Sequence, residues 1–126
     1  MMNFNDLSYK AKDMYGMWQH GYYVRYNCPE EHFIIDDYHG TQIMIQEDTL
    51  SFDTGVNDME LNSTYTNDII QDGNRIGYVS FLLGCFMAVF KEKDQENSYH
   101  VPLYTLKYKV IGNIFDDKHL LKGVFY

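Results

Sequence analysis

Four residues between positions 32 and 39 have side chains that could bind a metal ion. His32, Asp36, Asp37 and His39 offer imidazole and carboxylate donors, which are the groups that zinc and related ions take from proteins. Their spacing matches no established metal-binding motif. Polar residues of a solvated turn explain the same pattern. We therefore predict no metal and no cofactor for this chain.

A thiol and a histidine could in principle form a nucleophile and its base. The pair is Cys85 and His100, but an active thiolate requires a nearby cation. Cys85 lies instead in the apolar run of residues 76–90, where the charged thiolate is disfavoured. The glycines at 73, 77 and 84 lack the following Lys-Ser/Thr of a nucleotide-binding loop. We predict that the protein is not an enzyme and has no catalytic residues.

Aromatic and basic residues near the end of the sequence could stack nucleic-acid bases over a basic strip. The set comprises Tyr104, Tyr108, Phe125 and Tyr126 with Lys107, Lys109 and Lys122. A core face of aromatic residues with lysines at the surface explains the set at least as well. We predict no direct contact with nucleic acid.

The carboxylates of the chain are concentrated in one segment. Residues 26–74 hold eleven of the eighteen Asp and Glu residues and no Lys or Arg, and the formal net charge of the chain is −8. Such a segment repels nucleic acids and lipid headgroups and favours basic partners, although turn chemistry and solubility explain part of it. We predict that a partner protein with a basic surface contacts nine of these acids: Glu30, Glu31, Asp36, Asp37, Glu47, Asp48, Asp53, Asp58 and Glu60.

Short strands separated by turns must position these side chains. The composition predicts strands at 21–26, 32–35 and 41–46, with breaks at 27–29 and 37–40. The run 76–90 fits a helix or a hairpin that turns near Leu83 and Gly84, and Gly84 favours the hairpin. Residues 104–110 alternate strictly between apolar and polar positions and give the clearest strand prediction. A charged loop at 91–98 and a short helical turn at 116–122 complete the pattern.

The sequence predicts a mainly β protein with little helix. Its 126 residues suit a single domain of antiparallel strands, either a twisted sheet or a small barrel closed by strand 104–110. A division into two subdomains near residue 74, at the turn Asp72-Gly73-Asn74, is an alternative. The two cysteines and the lack of a signal peptide predict the reducing cytosol, and no apolar run is long enough for a membrane helix.

Several short motifs together resemble the YopX family of small phage and prophage proteins. They are Trp-Gln-His-Gly-Tyr-Tyr-Val at 18–24, Asp-Thr-Gly-Val at 53–56 with Asp58, Tyr-Thr-Asn-Asp-Ile-Ile at 65–70, and Lys-Val-Ile-Gly-Asn-Ile-Phe at 109–115 with Leu120 and Leu121. No single motif is specific, but they occur in family order along nearly the whole chain. Residues 56–63 differ from the family, because a stretch that is usually rich in lysine is acidic in this chain.

The resemblance implies a mostly β phage accessory protein in the cytosol of a bacterial host, and it supplies no catalytic residues to transfer. Combined with the acidic segment, it predicts an inhibitor that binds a nucleic-acid-binding host defence protein, such as a CRISPR effector nuclease, by mimicking nucleic acid. The alternative is a structural or regulatory phage protein that forms a homo-oligomer through its aromatic strands.

Overall fold

The computed structural model of the chain describes residues 8–126, which form two compact units. The first unit extends to Gly55, and the second comprises Val56–Tyr126. The first contains β1 (Tyr9–Lys12), β2 (Trp18–Asn27), β3 (Glu30–Asp36), β4 (Gln42–Met44), a 3₁₀ turn (Glu47–Thr49) and most of β5 (Ser51–Asn57). Its strands lie in the order β4-β3-β2-β1-β5, and the pairs along β1, β2, β3 and β4 are antiparallel.

The second unit begins within β5, beside which lies the short strand β6 (Ser63–Tyr65). A five-stranded antiparallel sheet follows in the order β10-β9-β8-β7-β11. Its strands are β7 (Asp68–Asp72), β8 (Arg75–Leu82), β9 (Cys85–Phe90), β10 (Tyr99–Pro102) and β11 (Lys109–Asn113). Two further 3₁₀ turns span Leu103–Thr105 and Lys118–Leu121. The turn Asp72-Gly73-Asn74, where the sequence suggested a division, joins β7 to β8 inside this unit.

Alternation along the strands determines which side chains enter each core. In the first unit Ala11, Ile34 and Ile45 are buried together, with Tyr9 and Leu50 among the half-buried residues around them. Since successive residues of a strand point to opposite faces, His32 shares the inner face of β3 with Ile34. The core of the second unit consists of Ile70, Val79, Ala88, Phe90, Leu103 and Tyr108.

The mainly β prediction is confirmed, and so is the hairpin at 76–90. Strands β8 and β9 meet at Leu83 and Gly84, whose φ angles are 54° and 76°. Two positive φ angles in a two-residue loop match the mirror-image turn that suits the twist of a hairpin. Strands at 21–26 and 32–35 lie within β2 and β3, the strand at 41–46 is shortened to β4, and the helical turn at 116–122 contains the 3₁₀ turn.

The predicted strand at 104–110 is wrong, and so is the barrel that it was to close. The chain turns at Leu103–Thr105, where Thr105 Oγ1 donates to the carbonyl of Pro102 at 2.7 Å, and the strand begins only at Lys109. Tyr104 is 73% exposed whereas Tyr108 is 1% exposed, so the apparent alternation does not describe one sheet face. The described strands form two open sheets.

Within residues 8–126, no helix is long and apolar enough to span a membrane.

Candidate functional site

Exposed and half-buried acids of the first unit occupy both ends of β3. Glu30 and Glu31 begin the strand, and Asp36 and Asp37 end it. A strand rises about 3.3 Å per residue, so the two pairs are roughly 20 Å apart. Glu47 lies beside Glu30, because a side-chain oxygen of each carboxylate is 3.2 Å from the same nitrogen of His32. Four of the predicted acids of this unit therefore form two groups, Glu30 with Glu47 and Asp36 with Asp37.

The first group surrounds the imidazole of His32. The ring is 9% exposed, and its Nε2 lies 3.2 Å from both Glu30 Oε1 and Glu47 Oε2. Its Nδ1 forms a 2.5 Å hydrogen bond with the hydroxyl of Tyr23, whose ring stacks on the imidazole at 5.8 Å. Arg25 Nη2 also reaches Glu30 Oε1 at 3.2 Å. The buried ring is thus fixed in orientation on one side and faces two exposed carboxylates on the other.

Tyr23 serves this arrangement as a neutral phenol. Burial raises its pKa, and the nearby charge of Glu47 raises it further. A neutral hydroxyl can accept a hydrogen bond from Nδ1–H or donate one to Nδ1, so either imidazole tautomer is compatible with the contact. The tautomer that donates from Nδ1 leaves the lone pair of Nε2 facing the two carboxylates.

The second acidic group is shaped by its own turn. Asp36 Oδ1 accepts the backbone N–H of Tyr38 at 2.7 Å, and His39 Nδ1 lies 3.4 Å from Asp36 Oδ2. The N–H of Tyr38 is the main reason that the pKa of Asp36 is lowered, and burial opposes that effect. Because His39 lies with Asp36 and His32 lies with Glu30 and Glu47, the two histidines do not share one site.

On the face of the sheet opposite to His32 and its two glutamates, the first unit carries partly exposed aromatic and apolar side chains. The register pairs Tyr26 with Glu31, Tyr22 with Ile35, and Phe33 with Met44, which puts each pair on the face opposite to Ile34. Tyr22, Tyr26 and Met44 are 46%, 47% and 43% exposed. We call Tyr22, Tyr26, Phe33 and Met44 the aromatic face. The Tyr26 ring packs edge-on against Phe33 at 5.5 Å.

Two of the remaining predicted contact residues, Asp53 and Glu60, have local structural partners. Asp53 accepts from Ser8 Oγ at 3.3 Å and from the N–H of Gly55 at 2.9 Å. In the second unit, Glu60 pairs with Lys109 Nζ at 3.3 Å, and both side chains are about half exposed. Asp48 is exposed beside Glu47.

Asp58 must be removed from the predicted contact set. It is 4% exposed, and its carboxylate accepts hydrogen bonds from the backbone N–H groups of Glu60, Asn62 and Val110. A buried carboxylate that is engaged in this way supports the surrounding loop and is out of a partner's reach.

The structure does not bring together the other two residue sets that the sequence suggested, the thiol with its histidine and the aromatic-basic strip. Cys85 begins β9 at the hairpin tip, opposite Leu82. His100 pairs with Val89 four positions further along β9, which is about 13 Å of strand. Of the proposed stacking residues, Tyr108 is in the core, and Tyr126 is exposed with Lys118 Nζ 4.9 Å from its ring centre.

Sequence reasoning missed the grouping of Glu30, His32 and Glu47. The sequence could have predicted that Glu30 and His32 are neighbours, because residues two positions apart in a strand lie on the same face. Glu47 lies in the segment after β4. Its position next to His32 depends on the packing of Ile45 in the core, which local sequence patterns do not predict.

The chain matches the family model described as YopX protein over residues 1–122. Comparison with curated proteins gave no match.

Proposed function

The chain belongs to the YopX protein family, which suggests a phage or prophage type of protein, and from that premise we propose that it is a non-enzymatic inhibitor of a host protein. The target is a defence protein with a basic surface that normally binds nucleic acid. A CRISPR effector nuclease is the concrete target to examine first. The site that would make the contact is the aromatic face together with the exposed and partly exposed acids of the first unit.

One observation carries this proposal, namely that partly exposed aromatic and acidic side chains share one surface of the first unit. Glu31 is directly opposite Tyr26 in the register of β2 and β3, and Asp37 follows the other end of β3. Tyrosine residues that are partly exposed on a rigid sheet supply contact area at low entropic cost. The carboxylates around them supply the charge that a basic surface attracts.

Carboxylates suit a surface that evolved to bind phosphates. Arg and Lys side chains that await phosphate oxygens form equally good charge-assisted hydrogen bonds with carboxylates. A protein that occupies such a surface competes with nucleic acid, and its binding weakens as salt concentration rises. These two properties distinguish electrostatic mimicry from a contact that is mainly apolar.

The test measures binding of the purified full chain to a CRISPR effector nuclease from a plausible bacterial host. We expect binding at low salt, progressive release at higher salt, and displacement by the guide RNA or target DNA. The double variant Glu31→Lys/Asp48→Lys should weaken binding at least about tenfold, because it places like charges against a basic surface. Neither residue has a structural hydrogen bond of the kind that engages Asp58.

The matched control is Asp94→Lys/Glu96→Lys. Both residues are exposed in the charged loop between β9 and β10, so this variant makes the same change in net charge. It should change the dissociation constant by less than about twofold if the acidic groups on the first unit make the contact. Equal weakening by the two variants, or binding that nucleic acid does not displace, would contradict the proposal.

A second candidate function is self-assembly through the aromatic face. The observation in its favour is that Tyr22, Tyr26 and Met44 leave an exposed apolar surface in a chain whose β4 is a short strand at the end of the sheet order. This reading predicts an oligomer whose mass by light scattering is insensitive to salt. A monomer at micromolar concentration would exclude it.

A further inference from the structure

We propose that Glu30, His32 and Glu47 form a binding site for a zinc ion or a similar divalent transition metal. The three residues offer one imidazole nitrogen and two carboxylate oxygens, and these ligand atoms all lie within 4.8 Å of one another. Imidazole with carboxylates suits zinc and its first-row neighbours, whereas Mg²⁺ and Ca²⁺ prefer oxygen ligands alone. The metal proposal does not depend on the proposed function, although Glu30 and Glu47 are also among the acids predicted to contact the partner.

The distances fit a metal of this class. His32 Nε2 is 3.2 Å from Glu30 Oε1 and 3.2 Å from Glu47 Oε2. Ligands bound at about 2.0–2.2 Å in a tetrahedral arrangement are separated from one another by roughly 3.3–3.6 Å. A metal ion between the three atoms therefore requires only small adjustments, and the two glutamates are the side chains that can make them, since they are 53% and 63% exposed.

His32 is held in the way that metal-binding histidines usually are. Its ring is nine-tenths buried, and the hydrogen bond between Nδ1 and the Tyr23 hydroxyl lies on the side away from the carboxylates. A hydrogen bond from the second ring nitrogen fixes the tautomer and the orientation of a ligating imidazole. With the proton on Nδ1, the lone pair of Nε2 points at the metal position.

Arg25 competes with the metal for Glu30. Its guanidinium lies 3.2 Å from the same Oε1 atom that the metal would bind, and both side chains are 53% exposed. An exposed ion pair of this kind contributes about 0.2–1 kcal/mol. Removal of the arginine side chain should therefore tighten metal binding by up to about fivefold.

The experiment uses untagged full-length protein freed of metal by chelation. Isothermal titration with zinc chloride, supported by elemental analysis after dialysis, should give one zinc ion per chain. His32→Gln and Glu47→Gln should each weaken this binding at least about tenfold, since loss of one ligand of three removes much of the site. Arg25→Gln should tighten it, and Mg²⁺ at the same concentration should give no heat of binding.

His39→Gln is the matched control, because His39 also lies beside a carboxylate but on the exposed turn with Asp36. It should leave the zinc affinity unchanged. Circular dichroism establishes that each variant is folded, and Glu47→Gln keeps the test decisive even if the buried His32 cannot be replaced. Cobalt substitution adds a readout, since a tetrahedral site gives strong visible absorption.

Three results would overturn the proposal. The first is an absence of stoichiometric zinc binding by the wild-type chain, which would leave the cluster as a set of contacts between one imidazole and two carboxylates. The second is undiminished binding in Glu47→Gln. The third is an equal loss of binding in His39→Gln, which would indicate adventitious binding by surface histidines.

Discussion

The carboxylate of Asp58 accepts a hydrogen bond from the backbone N–H of Val110 at 3.0 Å, although 52 positions separate the two residues. The same side chain accepts the backbone N–H groups of Glu60 and Asn62 at 2.9 and 2.8 Å. One buried acid therefore joins the loop between β5 and β6 to strand β11 inside the second unit. Because each bond to a charged acceptor is worth more than a neutral one, this residue is central to that unit's stability.

We predict that Asp58→Ala lowers the free energy of unfolding by about 3 kcal/mol, because it leaves several N–H groups without their charged acceptor. Urea unfolding followed by circular dichroism measures the change. Glu60→Ala is the control, since Glu60 is an exposed acid whose ion pair with Lys109 is worth less than about 1 kcal/mol. Similar losses for both variants would show that Asp58 has no special structural role.

The contribution of Asp58 should depend on pH in a defined direction. Burial acts to raise its pKa, but the hydrogen bonds from Val110, Asn62 and Glu60 outweigh burial, and the pKa is lowered. A carboxyl group with a lowered pKa in the folded state stabilises the protein fully above its unfolded pKa of about 3.9 and loses that contribution as pH falls through the folded pKa.

The stability difference between wild type and Asp58→Asn should therefore be constant from pH 7 to about pH 5 and shrink in more acidic solution. Urea unfolding of both proteins at a series of pH values measures this difference directly. A difference that stays unchanged down to pH 2 would mean that the native carboxylate does not titrate as described.

The hairpin tip between β8 and β9 contains a residue that is poorly suited to its backbone. Leu83 has a φ of 54° and is 93% exposed, so its side chain gains little from packing while its conformation is unfavourable for a bulky residue. Leu83→Asn should stabilise the protein by about 1 kcal/mol, because Asn accepts this conformation and suits the first position of the turn.

Met59→Asn is the control for this change. Met59 is also an exposed apolar residue, at 68%, but its φ is not positive. Thermal unfolding should show a higher melting temperature for Leu83→Asn alone. An equal rise for both variants would assign the effect to loss of exposed apolar surface and not to the backbone.

The hydroxyl of Tyr108 joins β6 to the core of the second unit. It lies 2.6 Å from Thr64 Oγ1, and both residues are buried. Tyr108→Phe should cost about 1 kcal/mol of unfolding free energy, because it removes this hydrogen bond and keeps the packing of the ring. Tyr104→Phe changes the same group at a position that is 73% exposed and should be neutral. Chemical denaturation distinguishes the two, and equal effects would count against the buried bond.

Local patterns predicted the parts of the fold that local interactions determine. Breaks at 27–29 and 37–40 and the hairpin turn at Leu83 and Gly84 depend on a few neighbouring residues, and the structure has them. The strand predicted at 104–110 failed for a tertiary reason. Tyr108 is drawn into the core while Tyr104 is left outside it, and alternation alone cannot distinguish that arrangement from a strand.

The candidate site was predictable only in part, because charge density does not distinguish acids that face solvent from acids that cap turns. The segment 26–74 contains both kinds. Asp36 and Asp58 accept backbone N–H groups of residues two positions ahead, which is the usual role of Asp in turns. Glu31 and Asp48 show no such local role. The contact between Glu47 and His32 could not be predicted from local sequence, because it depends on the tertiary packing of the first unit.

The aromatic face supplies the last prediction, which concerns the proposed protein partner. Tyr26 is 47% exposed, packs edge-on against Phe33 and is held by a 3.0 Å hydrogen bond from its hydroxyl to Gln42 Oε1. A rigid tyrosine beside the carboxylate of Glu31 has the properties of an interface hot spot. Tyr26→Ala should therefore weaken partner binding by about 2 kcal/mol, which is roughly thirtyfold.

Tyr15→Ala is the control in the same unit. Tyr15 is 94% exposed in the turn between β1 and β2, about 27 Å of strand away from Tyr26, and its loss should leave binding unchanged. The dissociation constants of both variants are measured at the same salt concentration, so that electrostatic screening does not differ between them. If Tyr26→Ala binds as tightly as Tyr15→Ala while Glu31→Lys/Asp48→Lys still weakens binding, charge alone makes the contact and the aromatic face has no part in it.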